Sequence, residues 1–157
     1  MTHAEKARQL FEQGYNCAQA TAGAFAEDMG MDMDTVVRII SPFGAGFGRM
    51  REVCGCVSGM TMVAGFFFGY KSPDDLEKKR DVYKKIQDMS GEFREKHGSI
   101  LCHDLLSELE TDSSPTPSVR DAKYYAERPC SHLVEDAAGI LERMLRENNV
   151  CLRDDVE

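Results

Sequence analysis

The feature that most constrains the fold is an uncharged run of 18 residues, VCGCVSGMTMVAGFFFGY, at positions 53–70. A run of this length lies at the lower edge of what crosses a bilayer. It contains four glycines but no Leu or Ile, and strongly charged segments flank it on both sides. A helix that is apolar all round must be buried, in lipid or in protein. We therefore predict that the segment at about 52–69 is a buried central helix, with no membrane span.

Two pairs of glycines predict close helix packing along this segment. Gly55 and Gly59 form the first pair, and Gly65 and Gly69 form the second. Small residues four positions apart let neighbouring helices approach closely, in water as in lipid. We expect both pairs to lie against another helix.

Helical patterns cover most of the remaining chain, and no alternating strand pattern is present. Caps and breakers set the predicted boundaries, including Asn16 as an N-cap, Gly98 as a stop and Pro129 as a start. The other predicted helices cover about 2–13, 17–29, 32–40, 73–97, 101–109, 118–127 and 129–148. The sequence predicts one all-α domain over 1–157, a bundle of about six to seven helices around the central one. Residues 110–118 are expected to form a polar loop and about 149–157 a C-terminal tail.

Length and charge narrow the class of protein. A chain of 157 residues suits one compact domain with a core of ordinary size. Its net charge is −8, and no basic run is present, which argues against nucleic acid or an anionic membrane as partner. The first ten residues, MTHAEKARQL, contain no apolar signal core, so we expect a cytoplasmic protein.

Six cysteines are an excess for a domain of this kind. In a reducing compartment structural disulfides are rare, and such an excess favours metal binding or redox chemistry. The simpler alternative is that the cysteines are small buried apolar residues.

Four of the cysteines fall at or near predicted helix N-termini: Cys17, Cys54, Cys102 and Cys130. Unpaired backbone N–H groups and the helix dipole favour negative charge there. A thiolate is both the nucleophile and the metal ligand, and a helix N-terminus lowers the pKa of a thiol. The placement therefore predicts four thiolates at a shared site.

No local motif explains these cysteines. The sequence contains no Cys-x-x-Cys, no Cys-x-x-Cys-His, and no zinc-finger or ferredoxin spacing. Any site must therefore be assembled by the tertiary structure. The glycines of GAGFG, residues 44–48, indicate a turn, because a nucleotide-binding loop would need a preceding strand and further motif residues.

Four stretches together resemble a known family: GYNCAQA, FGAGFGRMREVCGCVSG, GSILCHDLL and RPCSHLVEDAAGIL. They resemble the small redox proteins named after their motif C_GCAxxG_C_C, in the same order and over nearly the whole chain, to about residue 145. The resemblance implies that the family's four cysteines are Cys17, Cys54, Cys102 and Cys130. The family usually has Ala where this chain has Cys56, so the role of Cys56 stays open. Cys151 lies outside the motif.

A related domain in split-Soret cytochromes holds an iron–sulfur cluster together with haem. The resemblance therefore implies a cluster-binding or thiol-redox role, without haem, because the haem-attachment sequence is absent. Our leading hypothesis is an iron–sulfur cluster on the four cysteines, used for electron transfer or redox sensing. The backbone of Gly44, Gly46, Gly48 and Gly55 would approach the cluster and supply N–H donors to sulfur, and Cys56 is a further candidate.

Three alternatives remain open. The chain could be a thiol–disulfide oxidoreductase or sensor, in which Cys54, activated by its helix start and by Arg49 or Arg51, attacks a disulfide and another cysteine resolves it. It could hold structural zinc in a site made of four cysteines. It could also be a helical interaction module whose cysteines only pack.

The remaining expectations concern histidines and partners. His103, next to Cys102, and His132, two residues after Cys130, are weaker candidates for ligands or proton carriers. His3 and His97 are expected at the surface. A redox partner protein and a homo-oligomer fit these hypotheses, as does an oxidoreductase or an electron carrier. The sequence does not choose among them.

Overall fold

The computed structural model describes residues 1–107, 109 and 112–153 of the chain. Within these residues it contains eight α-helices, one 3-10 turn and no strand, so the prediction of an all-α bundle is confirmed. The helices are α1 (His3–Glu12), α2 (Cys17–Gly23), α3 (Met33–Ile40), α4 (Gly55–Phe68), α5 (Leu76–His97), α6 (Cys102–Leu105), α7 (Ala122–Glu127) and α8 (Cys130–Glu147). The 3-10 turn is Ser41–Phe43.

Four helices build the core. Helix α1 packs on α8 and on α2, α2 packs on α4, and α4 packs on α8. The long charged helix α5 covers α4 and α8 from one side. The largest buried side chains include Phe11, Phe25 and Phe93, which lie in one contiguous core with most of the cysteines. Four of the six cysteines, Cys54, Cys56, Cys102 and Cys130, therefore lie in the core.

Helix α2 begins at the predicted cap. The Asn16 side chain accepts a hydrogen bond from the Gln19 N–H at 2.9 Å, and the Gln19 side chain accepts one from the Asn16 N–H at 3.1 Å. This reciprocal capping box satisfies donors that the first helical turn leaves unpaired. It fixes Cys17 as the first residue of the helix.

Several helix boundaries differ from the predicted ones. Helix α2 ends at Gly23 rather than near residue 29, because the chain continues in tighter turns such as that between the Ala26 N–H and the Gly23 carbonyl. Helix α5 begins at Leu76 rather than at Pro73, because the Asp75 carboxylate caps it through the Lys78 N–H at 3.0 Å. Helices α6 and α7 are also shorter than predicted.

The central apolar helix is largely buried up to Ala64 and more exposed from there to its end. Its first half lies in the core, but Phe66 near its end is 50% exposed, so the expectation of burial all round is wrong. Gly55 and Gly59 pack against α2 as predicted, whereas Gly65 has open space beside it. No helix among the described residues is long and apolar enough to cross a bilayer.

The N-terminus and the tail also depart from expectation. His3 is buried, not at the surface: its ring stacks on Phe25 with centroids 4.3 Å apart, and its Nε2 lies 2.8 Å from an Asp28 oxygen. In the tail, Leu152 is fully buried in the core. Three parts of the predicted elements lie outside the described residues: 108 of the helix at 101–109, 110 and 111 of the loop, and 154–157 of the tail.

Candidate functional site

Four cysteines stand at the starts of four helices, as the sequence predicted. Cys17, Cys102 and Cys130 are the first residues of α2, α6 and α8, and Cys54 is the N-cap of α4. Backbone N–H groups of the first turn have no partner within a helix, so each of these positions favours negative charge on sulfur.

The fold brings these cysteines together with a fifth. The thiols of Cys130 and Cys56 lie close enough to the Cys17 sulfur to lower its pKa, and the Cys54 thiol raises that of Cys56 in the same way. Negative charge on Cys54 and Cys17 acts to raise the pKa of Cys102. We call these five residues the cysteine cluster. All of them carry free thiols in the structure.

An isolated antiparallel bridge holds two members of the cluster side by side. Val53 pairs with Leu101, so that the Cys54 N–H donates to the Ile100 carbonyl at 2.8 Å. The Cys102 N–H donates to the Glu52 carbonyl at 2.6 Å. These backbone bonds join two segments that are far apart in the sequence.

A glycine brings α2 and α4 close enough for the other contacts. A Cβ atom at Gly55 would lie 2.9 Å from the Ala18 nitrogen and 3.1 Å from the Cys17 Cβ. Real Cβ atoms do not approach a backbone nitrogen so closely, and any side chain here would push α2 away. Gly55 therefore permits the contact between Cys17 and Cys56.

The loop before Cys54 has an unusual backbone. Five consecutive residues, 45–49, have positive φ, and three of them, Ala45 (53°), Phe47 (67°) and Arg49 (65°), are not glycine. Non-glycine residues in this region cost free energy, and such strain persists only where surrounding contacts maintain it.

Of the loop glycines, Gly46 lies against the cluster. A Cβ at Gly46 would be 2.6 Å from the Cys102 Cβ. Gly44 instead packs on the Asn16 side chain, and Gly48 has almost no close neighbour. The N–H groups of Ala45 and Gly46 make no hydrogen bond to any described residue, so they are available as donors.

Cys17 differs from its neighbours in exposure and in acidity. It is partly exposed, whereas the other four members of the cluster are buried. The pKa of the Cys17 thiol is lowered well below its usual value, first by hydrogen bonds from Cys130 and Cys56 and then by the positive charge of Arg120. Cys17 is therefore the most accessible thiolate of the cluster.

The deeper thiols resist ionisation. Burial is the main cause of the raised pKa of Cys56, which is fully buried. Contact with the Cys17 sulfur, followed by burial, raises the pKa of Cys130. Burial also raises the pKa of Cys102, against the lowering effect of Arg51.

Three arginines surround the cluster. Arg51 is only 5% exposed, and its Nη1 lies 3.8 Å from the Cys102 sulfur. Its Nε donates to the Asp112 carbonyl at 3.0 Å, and its Nη2 is buried with no partner among the described residues. The charges of Arg120 and Arg128 act on Cys17 and Cys130. Sequence reasoning missed these last two, although Arg128 lies two residues before Cys130.

The remaining candidates lie outside the cluster. Cys151 is exposed. The side chains of His103 and His132 are 56% and 73% exposed and lie beside Asp104 and Glu135 instead of a cysteine. His97, predicted at the surface, is largely covered and pairs with Asp136 at 3.0 Å. Within the described part of the chain, no group of three or more His, Cys, Asp or Glu is spaced to hold a single metal ion.

Comparison with known proteins identifies a family. Residues 15–144 match the family model described as "Putative redox-active protein (C_GCAxxG_C_C)". No curated protein and no solved structure matches the chain significantly. Since the match covers most of the chain, the protein belongs to the C_GCAxxG_C_C family.

Proposed function

We propose that this family member carries its redox centre at the cysteine cluster, where Cys17, Cys54, Cys102 and Cys130 hold an iron–sulfur cluster for electron transfer or redox sensing. The observation that carries the proposal is the meeting of four cysteines, from four helix starts, at one place in the core. Four thiolates match the ligand count of a [2Fe–2S] or a [4Fe–4S] centre. Such a group supplies one-electron transfer when bound.

The charges around the cluster support an anionic occupant. Arg51, Arg120 and Arg128 act on three of the four thiols. The helix starts add the partial positive charge of the helix dipoles. Together these positive charges would offset the negative charge of four thiolates. Charge near an iron–sulfur cluster is one of the determinants of its reduction potential.

The loop adds hydrogen-bond donors. The N–H groups of Ala45 and Gly46 have no partner among the described residues, and Gly46 lies against Cys102. Backbone N–H groups beside sulfur stabilise added negative charge there. Absence of a side chain at Gly46 is what lets the backbone come so close.

Cys56 has a different part in the proposal. It is fully buried, and burial keeps its thiol protonated. It touches both Cys17 and Cys54 and can donate its S–H to them. We assign it a supporting position behind the four ligands.

Zinc fits the site less well than a polynuclear group. A structural zinc ion needs its sulfur ligands in a tight tetrahedron about one centre. Among the described residues no group has that spacing. The all-sulfur donor set, with its five thiols, suits iron–sulfur chemistry.

A second function is favoured by one specific contact, that between the thiols of Cys17 and Cys130. The partly exposed Cys17 thiolate would attack a disulfide substrate and release one thiolate. The Cys130 thiol would then pass its proton to the first substrate thiolate, attack the Cys17 sulfur and release the second substrate thiolate, leaving a Cys17–Cys130 disulfide while the substrate gains two electrons. In this function Cys17, rather than Cys54, is the nucleophile, because Cys54 is buried.

One anaerobic preparation tests both functions. We expect iron and inorganic sulfide with visible absorbance in the wild type, loss of both in Cys17→Ser and in Cys102→Ser, and no change in Cys151→Ser, whose thiol is exposed and outside the cluster. A colourless protein without iron, or one with zinc alone, would contradict the iron–sulfur proposal. Counting thiols before and after mild oxidation, with the disulfides mapped, then decides the second function.

A further inference from the structure

A pocket of about 350 Å³ opens beside the cysteine cluster, between the loop at 44–49 and the segment at 115–128. Four arginines line it: Arg49, Arg51, Arg120 and Arg128. None of the described residues that line it is Asp or Glu. A concave site with charge of one sign concentrates ligands of the opposite sign.

Most of these arginines are not paired with a carboxylate. Arg49 pairs with Asp112, with its Nη1 at 2.8 Å from the carboxylate. Across the described ranges, Arg51, Arg120 and Arg128 form no ion pair with a carboxylate. Three guanidinium charges therefore remain around one pocket in a protein whose net charge is −8.

Two of these arginines keep unused donors. The Arg51 Nη2 is buried and has no partner among the described residues, although the rest of the guanidinium is held by Asp112 and Cys102. The Arg128 guanidinium lies 4.4 Å from the centre of the Tyr124 ring and makes no hydrogen bond to a described residue. An unpaired donor on a buried cation is costly unless a ligand or water satisfies it.

Arg120, by contrast, is fixed in place. It donates to the carbonyls of Phe11 and Tyr15 at 3.2 and 3.1 Å, and it lies 4.8 Å from the centre of the Tyr124 ring. Its position is set before any ligand arrives. A site whose charges are already held loses little conformational freedom on binding.

We propose that this pocket binds a small organic anion, whose carboxylate or tetrahedral oxyanion pairs with Arg51 and Arg128. Guanidinium groups match both kinds of anion in geometry. The pocket volume is within the range of small-molecule sites, and Tyr124 with Pro42 and Pro117 supplies an apolar wall for the body of the ligand. Asn16, next to Cys17, also lines the pocket, so the anion would lie beside the redox centre.

The inference concerns binding, and it holds whether the cysteines carry an iron–sulfur cluster or act as thiols. The competing explanation is that the arginines serve only to offset charge on the cysteine sulfurs. These two explanations differ in one respect. Only the first predicts that an added anion binds at this pocket and saturates it.

The test is calorimetric titration of the anaerobically purified protein with sodium sulfate, sodium phosphate and sodium succinate, at constant ionic strength set with chloride. We expect saturable binding with one site per chain, weakened at least tenfold in Arg128→Gln. Arg80→Gln is the matched control, because Arg80 is exposed on α5 and loses the same charge far from the pocket. Its affinity should stay within twofold of the wild type.

Sulfate or phosphate binding without succinate binding assigns a tetrahedral oxyanion, and the reverse assigns a carboxylate. Amide signals in NMR should shift at residues 44–49 and 124–128 of the wild type, a readout that needs no variant to fold. Binding of none of the three probes would overturn the proposal. Equal losses of anion affinity in Arg128→Gln and Arg80→Gln would also overturn it, as would NMR shifts spread over the lysines of α5.

Discussion

Cys54 and Cys102 lie side by side because Val53 and Leu101, the residues before them, pair in an isolated antiparallel bridge. Backbone hydrogen bonds of 2.8 and 2.6 Å fix the two N–H groups of the cysteines. Each bond connects residues that are far apart in the sequence. The site is therefore held by backbone geometry as well as by side-chain packing.

Cys56→Ala should retain the redox centre. The resemblance noted from the sequence implies Ala at this position, and the buried Cys56 thiol is expected to support the site rather than ligate. We expect iron and sulfide content unchanged, with a loss of about 1 kcal/mol in unfolding free energy from the removed contacts. Cys54→Ala is the control that should lose the iron. Loss of iron in both variants would make Cys56 a ligand.

Cys17 should react first with iodoacetamide in reduced, metal-free protein. Its thiol is partly exposed and its pKa is lowered, whereas Cys102 and Cys130 are buried with raised pKa values. Because only the thiolate is alkylated and the pKa of Cys17 is lowered, the rate at Cys17 should persist to lower pH than the rates at Cys102 and Cys130. Mass spectrometry of peptides after short exposure measures this order. Faster labelling of Cys130 than of Cys17 would contradict it, with the exposed Cys151 as an internal reference.

Gly46→Ala should destabilise the protein and disrupt the site. The new Cβ would meet the Cys102 Cβ at 2.6 Å and the Arg51 Cα at 2.7 Å, at a backbone φ of 76°. We expect a loss of about 2–4 kcal/mol in unfolding free energy. Chemical denaturation measures it.

Gly91→Ala is the matched control for that variant, because Gly91 lies inside α5 and a Cβ there meets nothing within 4 Å. The same added methyl group should stabilise the helix by about 0.5–1 kcal/mol. Similar losses in both variants would mean that the close approach at Gly46 does not matter.

Tyr124 should ionise far above its usual range. Burial, followed by the charge of Cys17, raises the pKa of Tyr124 from 10.0 to about 12. The folded state therefore holds this proton more tightly than the unfolded state. The resulting stability is fully present below pH 10 and is lost as pH rises from 10 to about 12.

Tyr124→Phe gives the measurement. The difference in tyrosinate absorbance between the wild type and this variant should titrate near pH 12. The variant should also lose less stability than the wild type over that interval. A difference spectrum with a midpoint near the ordinary value of 10.0 would show that Tyr124 is exposed to solvent.

The sequence predicted the features that depend on residues close together in the chain. The helical class, the Asn16 cap and the position of four cysteines at helix starts all follow from residues within a turn of one another. The packing of Gly55 and Gly59 also followed from spacing, whereas that of Gly65 did not, because spacing cannot say which partner helix runs past each glycine.

Which groups meet in space was decided by the tertiary structure. No pattern in the chain indicated the burial of His3, the bridge at Val53, or Arg120 and Arg128 beside the cluster. Helix starts and caps depend on neighbours in the chain, so they could be read from the residues alone. The five thiols meet in the cysteine cluster, and the arginines meet around the pocket, because of how the helices pack and where the loops cross. No local sequence pattern encodes that packing.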